Sequence, residues 1–264
     1  MRLVSPTVHL VAYPKIDWGA LQDVLITQCG EETEWFRRTA NMSENDAEVL
    51  VEFAGRECYK SWEPGLNANV TKVREDSKEY LGNILSSGHG SVLEHANFSF
   101  VFSHVSRIFT HEFVRHRAGV AVSQESMRFV RLTDIPFWFP DWAWTDEVLR
   151  EKLMNHIEAA EELQEWMAEY FRLDDEGVNF HEKKMKTSFM RRVAPSGHAT
   201  HMVATINVRA LRHIIAMRTA LPAEEEIRIV CDQLAELTLA AVPNLMQDYN
   251  RNEDQEWIPG FLKV

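Results

Sequence analysis

Only three cysteines, Cys29, Cys58 and Cys231, occur among the 264 residues, an odd number with no CxxC spacing. That argues against a disulfide framework and against a zinc site built on thiolates, and it suits a reducing, cytoplasmic compartment. No stretch approaches the ~18 consecutive apolar residues that a membrane span requires, and Met1 to Leu10 has one early Arg and no long apolar run, so no membrane association is expected. Internal repeats, low-complexity tracts and Gly/Ser linkers are also missing, so 1–264 is read as a single domain. Positive charge is scarce: 28 basic against 40 acidic residues leave a net charge of −12, which makes attraction to a nucleic-acid backbone weak. Any bound anion must be held by a local basic cluster.

What is present suffices for a sizeable core, with 45% apolar content. Val8 to Tyr13 reads as a strand, as does Phe98 to Phe102, where three phenylalanines alternate onto one face. Ser43 and Asp46 ahead of Ala47 to Phe53 resemble a capped helix start. Helices are expected over Val70 to Leu85, with Gly88 as a stop, and from Ser106 to the Arg115 cluster. Ile135 to Trp144, aromatic and broken by two prolines, reads as an ordered loop. From Thr145 to Phe171 the apolar positions recur at three- and four-residue intervals, the stripe of a helix packed on one side in a core or subunit contact. Thr200 to Met217 and Ala223 to Ala241 look like two further helices. The fold class is α+β and helix-rich.

Three constellations carry chemistry. Arg115-His116-Arg117, followed by Ser123, Gln124, Ser126, Arg128 and Arg131, offers guanidinium forks and neutral donors suited to phosphate oxygens. The bland alternative is a surface patch neutralised by Glu112 and Glu125. In Gly88-His-Gly-Ser-Val-Leu-Glu-His95, small residues let backbone approach a ligand closely. A metal on His89, Glu94 and His95 is disfavoured, since there is no HExxH pattern and no thiolate set. His198 and His201, three apart, would share a helix face and read as structural. Asn207 to Arg218 reads as a largely buried helix carrying Arg209, Arg212, His213 and Arg218; buried guanidiniums need partners, either Glu224, Glu225 and Glu226 or a bound nucleotide. No cysteine is a convincing nucleophile, and Cys58 reads as core despite its neighbour Lys60.

The run Arg115-His-Arg-Ala-Gly-Val-Ala-Val-Ser-Gln-Glu-Ser-Met-Arg128 resembles the Arg-His-Arg, spacer, Ser-x-Arg signature of the flavin-dependent thymidylate synthase family. His89 to His95, and Asn207-Val-Arg209 leading to Met217-Arg218, match further segments in the same order. Four places differ from the usual pattern. The Arg117-to-Ser126 spacer is eight residues rather than seven, Glu112 stands for Gln, Ala223-Glu-Glu-Glu-Ile-Arg228 for Ala-Gln-Trp-Glu-Ile-Arg, and Val193-Ala-Pro195 for Val-Leu-Pro. The longer spacer is expected beside the sugar and phosphate site.

The resemblance implies an FAD-bound homotetramer with active sites shared between subunits, converting dUMP to dTMP with methylenetetrahydrofolate as one-carbon donor and NADPH as reductant. It implies a flavin set of His89, Ser91, Glu94, Arg115, His116, Arg117, Asn207, Arg209 and His213. The implied nucleotide set is Glu112, Gln124, Ser126, Arg128, Arg191 and Arg218, with Arg218 and Ser126 nearest the chemistry. Arg218 would stabilise charge developing on the uracil, while Ser126 positions the ligand and no metal is needed. Two alternatives stay open: the same chemistry on the ribonucleotide UMP, and a non-catalytic nucleotide-binding oligomer.

Overall fold

Alternation of Phe98, Phe100 and Phe102 dictates a strand with one buried face, and all three rings are buried in the computed structural model, which describes residues 1–42, 45–62, 68, 73–128 and 132–264. In chain order the elements are β1 (Arg2–Leu3), β2 (Thr7–Ala12), α1 (Trp18–Cys29), α2 (Glu34–Met42), α3 (Asp46–Tyr59), α4 (Ser77–Ser86), β3 (Asn97–Ser106), α5 (Arg107–Phe113) and β4 (Val120–Gln124). They continue with β5 (Pro136–Phe137), α6 (Asp141–Trp144), α7 (Glu147–Tyr170), α8 (Phe180–Met190), β6 (Ala199–Asn207), α9 (Val208–Arg218), α10 (Glu225–Ala241), β7 (Tyr249–Arg251) and β8 (Trp257–Pro259). The class is α+β. Among the described residues, no helix is long and apolar enough to cross a membrane.

The central sheet has the order β2-β3-β6-β4, with every neighbour antiparallel. Its inner face, Phe98, Phe100 and Phe102 beside Met202, Ala204 and Ile206, packs on Leu81 and Leu85 of α4, Phe109 and Phe113 of α5, and the apolar sides of α9 and α10. A second cluster, Leu25, Trp35, Phe36, Val49 and Trp62, ties α1 to α3.

The cap residues explain most helix starts. Asp17, Asn45, Asp76, Ser106, Asp146, Asn179, Asn207 and Glu224 each accept a first-turn amide from their own helix. Asn45 takes the role expected of Ser43, which lies outside the described residues. The helix expected from Val70 begins only at Ser77; Val70 is likewise outside the described residues, and Asp76 caps the observed start. At its end, Gly88 at φ +73° gives its amide to Leu85 O and His89 gives its own to Ile84 O, a Schellman stop.

Two expectations change. Thr200 to Asn207 is strand β6, not helix: its burial alternates with period two, and the helix begins only after Asn207. His198 and His201 therefore share no helix face. Buried His198 bonds Pro195 O, while His201 lies on the strand beside His104. Within Ile135 to Trp144, short β5 pairs with β1 and α6 follows, with Phe137, Phe139 and Trp144 stacked in series.

A buried ion pair the sequence did not reveal holds α3. Arg56 and Glu52 are 0% and 1% exposed; Glu52 also accepts from Trp35, and Arg56 donates to the carbonyls of Ser61 and Arg74. Removing one partner strands a buried charge, whereas removing both does not. Arg56→Met is expected to lower unfolding free energy by about 3–5 kcal/mol in urea titrations, and Arg56→Met with Glu52→Leu to recover most of that loss.

Candidate active site

Two strands deliver the site by running straight into helices. β3 ends at Ser106, whose hydroxyl caps α5, and α5 carries the chain to Arg115-His116-Arg117. Buried Glu226 of α10 grips this junction, accepting from both the amide and the hydroxyl of Ser106. Burial raises the Glu226 carboxyl above its usual range, although the two Ser106 bonds oppose that shift. In the same way β6 ends at Asn207, whose side chain caps α9 through the Ala210 amide, and α9 carries Arg209, His213 and Arg218.

Of the expected flavin set, Glu94, Arg115, His116, Arg117, Asn207, Arg209 and His213 line one cavity of about 450 Å³. His89 and Ser91 do not line it; His89 stands against Tyr59, and Ser91 lies in the 3₁₀ turn Gly90–Glu94. Glu94 pairs with Arg209 at 2.6 Å. Close approach here requires glycine. A Cβ on Gly90 would meet Arg209 Nε at 2.8 Å, and one on Gly119, at φ +71°, would meet Asn207 Nδ2 at 2.3 Å.

Gly119 bears on the long spacer. β4 pairs with β6 from Val120 to Gln124 without a bulge, and Ala118 and Gly119 of the spacer line the 450 Å³ cavity. The start of the spacer thus faces the cavity of the expected flavin set. Its end, at Gln124, faces a second cavity.

That second cavity, about 680 Å³, is lined by Arg107, Thr110, Glu112, Arg115, Gln124 and neighbouring residues. Arg115 therefore belongs to both. Gln124 donates to Thr110 at 2.8 Å. Arg107, which the sequence reading passed over, borders this cavity and a third of about 230 Å³; its Nε is buried without a partner, and it feels the charge of Arg191. Burial foremost, eased by Glu125 and reinforced by Arg191, lowers its affinity for a proton. Ser126 and Arg128 line neither principal cavity; Arg128 bonds Ser188, and Arg131 lies outside the described residues.

Arg218 links the two walls. Its Nη1 meets Glu112 Oε2 at 2.8 Å, its Nη2 meets Glu112 O at 3.2 Å, and its Nε donates to His116 Nε2 at 2.9 Å. Glu112 borders one cavity and His116 the other. The expected partners Glu224, Glu225 and Glu226 serve elsewhere: Glu224 caps α10, Glu225 accepts from Trp142, and Glu226 holds Ser106. The guanidiniums of α9 instead pair with Glu94, Asp248 and Glu112.

Accepting from Arg218 requires His116 Nε2 to be unprotonated. Burial foremost, then the charges of Arg218 and His213, push the His116 pKa down to about 4.

A family model described as thymidylate synthase complementing protein matches residues 40–244. The flavin-dependent thymidylate synthase of Mycolicibacterium gilvum is 35% identical over 218 residues, covering 76% of this chain and 79% of that protein. That of Mycobacterium tuberculosis H37Rv is 36% identical over 203 residues at the same coverage. The chain belongs to the flavin-dependent thymidylate synthase family. Solved structures share its fold. Helicobacter pylori thymidylate synthase X, bound to FAD and dUMP, superposes with a TM-score of 0.57 at 17% identity, covering 91% of this chain and 96% of that one. The UMP/dUMP methylase PolB of Streptomyces cacaoi, bound to 5-Br UMP, reaches 0.60 at 20% identity, covering 93% and 94%. As a thymidylate synthase family member the chain is an enzyme. Its cavity wall at Leu262 to Val264 lies beyond the matched segment.

His116 supplies a pH test. The folded state disfavours its proton, so this contribution to stability is complete above pH 6.5 and is lost as pH falls from 6.5 through about 4. In an NMR titration the His116 ring is expected to change charge near pH 4, and Arg218→Met to move that midpoint upward.

Proposed function

We propose that this protein is an FAD-dependent enzyme that methylates carbon 5 of dUMP to give dTMP, taking the one-carbon unit from methylenetetrahydrofolate and electrons from NADPH. The observation that carries this reading is Arg218, which bonds a residue on the wall of each of two cavities that meet at Arg115. Methyl transfer onto a pyrimidine needs a redox cofactor and a nucleotide side by side, and this arrangement provides adjoining sites.

The first cavity fits the flavin. In a protein of net charge −12 it collects Arg115 and Arg117, neither of which has a side-chain partner among the described residues, with Arg209 held by Glu94. Unpaired guanidinium forks suit the phosphates of FAD. The glycines at 90 and 119 let Arg209 and Asn207 lie close to backbone. When bound, the reduced flavin supplies the two electrons that bring a methylene unit to the methyl level.

The second cavity fits the nucleotide. Arg107, Arg115 and Gln124 on its wall supply cationic and neutral donors for a phosphate, and Arg191, whose charge Arg107 feels, adds to the positive field. Arg218, fixed by Glu112 and His116, would stabilise negative charge on a uracil oxygen as carbon 5 gains a bond and then loses its proton. Neutral His116 accepts from Arg218 without adding a cation beside it. Ser126 and Arg128, close to Gln124 in the chain, would complete the phosphate contacts, with Ser126 a positioning group and not a nucleophile.

A homotetramer with shared sites suits the surface. Leu163, Trp166, Tyr170 and Phe189 are 40%, 56%, 68% and 53% exposed, and Trp166 stacks on Tyr170 at 5.0 Å. Apolar faces of this kind mark contact surfaces.

The test is anaerobic incubation of FAD-loaded protein with NADPH, methylenetetrahydrofolate and dUMP or UMP in equal amounts, followed by mass analysis. The expected result is one added CH₂ on dUMP. Preference for UMP would move the protein to ribonucleotide methylation, and binding without methylation of either would make it a nucleotide-binding oligomer. Arg218→Ala is expected to lower kcat by roughly 10²–10³-fold.

A further inference from the structure

Nothing in the motifs pointed to the last residues of the chain, yet Leu262, Lys263 and Val264 form one wall of the 450 Å³ cavity. Their placement is built. Asp248 meets Arg212 with both carboxylate oxygens, at 2.7 and 2.8 Å, and also accepts the Phe261 amide at 3.0 Å. Its backbone carbonyl accepts the Gly260 amide at 2.9 Å. Arg212 also donates to the carbonyls of Leu245 and Phe261 through Nη1 and Nη2, and Tyr249 donates to Arg212 O. Arg212 and Asp248 are 1% and 5% exposed.

A buried ion pair of this kind adds little net stability, because desolvation offsets the attraction. Its geometric effect is definite. Arg212 sits on α9 between Arg209 and His213, which line the same cavity, so the pair fixes residues 260–261 to a helix that also lines it. The bonds stop at Phe261, two residues before Lys263. Lys263 then packs across Gly88: its Cβ lies 3.5 Å from where a glycine-88 Cβ would stand. Lys263 forms no ion pair among the described residues, and with Arg115 and Arg117 it makes a third unpaired cation on the cavity.

We propose that Lys263 is a ligand for the phosphate groups of the flavin, and that the Arg212 to Asp248 pair is the positioning device that holds it there. This rests on the flavin reading of the cavity. It needs no change in the chemistry, only a charge-assisted contact from a segment outside the signature motifs.

The experiment uses the full chain and follows binding of FAD and of riboflavin, which lacks phosphate, by flavin fluorescence. Lys263→Ala is expected to raise the FAD Kd about tenfold and Lys263→Glu to raise it further, with the riboflavin Kd unchanged. Arg212→Met with Asp248→Leu, which leaves no orphaned buried charge, is expected to weaken FAD binding to a similar degree. Lys263→Ala should then add little in that background. An FAD Kd within about twofold of wild type in both Lys263 variants, or an equal loss for riboflavin, overturns the ligand role. A double variant that folds and keeps the wild-type Kd overturns the positioning role; should it fail to fold, the Lys263 variants alone decide. Wild-type protein that binds no FAD would instead remove the flavin reading beneath the proposal.

Discussion

Pairing of β3 with β6 is the constraint on which the site depends. The ladder runs from Asn97 opposite Asn207 to Ser106 opposite Ala199, with one irregularity between Phe102 and Val105. Each strand ends in a residue that is also a helix cap, Ser106 for α5 and Asn207 for α9. A slip in register would therefore move both helices together with their guanidiniums. The packing specifies that register: Phe100 lies opposite Ala204, a large residue against a small one, and both are fully buried. β4 completes the arrangement along β6, bringing Arg117 near one end and Gln124 near the other.

Charge is distributed against the average of the molecule. The chain as a whole repels anions, yet its cations gather where two cavities meet. Those with structural duties are neutralised in place, Arg56 by Glu52 and Arg212 by Asp248, both pairs buried. Those left without partners, Arg115, Arg117 and Lys263, face a cavity. Arg218 lies between these classes. It is paired with Glu112, 15% exposed, and bonded to a histidine whose proton burial has removed. Such a guanidinium is oriented before any ligand arrives, the condition under which electrostatic stabilisation is strongest.

Legibility in the sequence followed the range of each interaction. Caps such as Asp146 and Ser106 involve partners three residues away, and the helices they open stand close to where the pattern placed them. Alternating Phe98, Phe100 and Phe102 announced β3. Its partner β6 was misread because Thr200 to Ile206 runs directly into a helix, so one apolar stretch held two periodicities. The arginine cluster and the Asn207 to Arg218 segment were legible as chemistry because unpaired guanidiniums in so acidic a chain need an explanation. Arg107, Lys263 and Asp248 carried no such signal.

By itself the sequence determined the class of fold, several of the helices and the residue types that could serve a nucleotide and a flavin. These follow from local hydrogen bonding, burial period and donor chemistry, all properties of neighbours in the chain. Tertiary structure decided which cation is satisfied and which is free. Arg218 meets Glu112 across 106 residues and Arg209 meets Glu94 across 115, contacts that exist only once β3 and β6 are in register. It also decided that residues 262–264 form a wall of the cavity, because a buried carboxylate at Asp248 holds the preceding turn against α9.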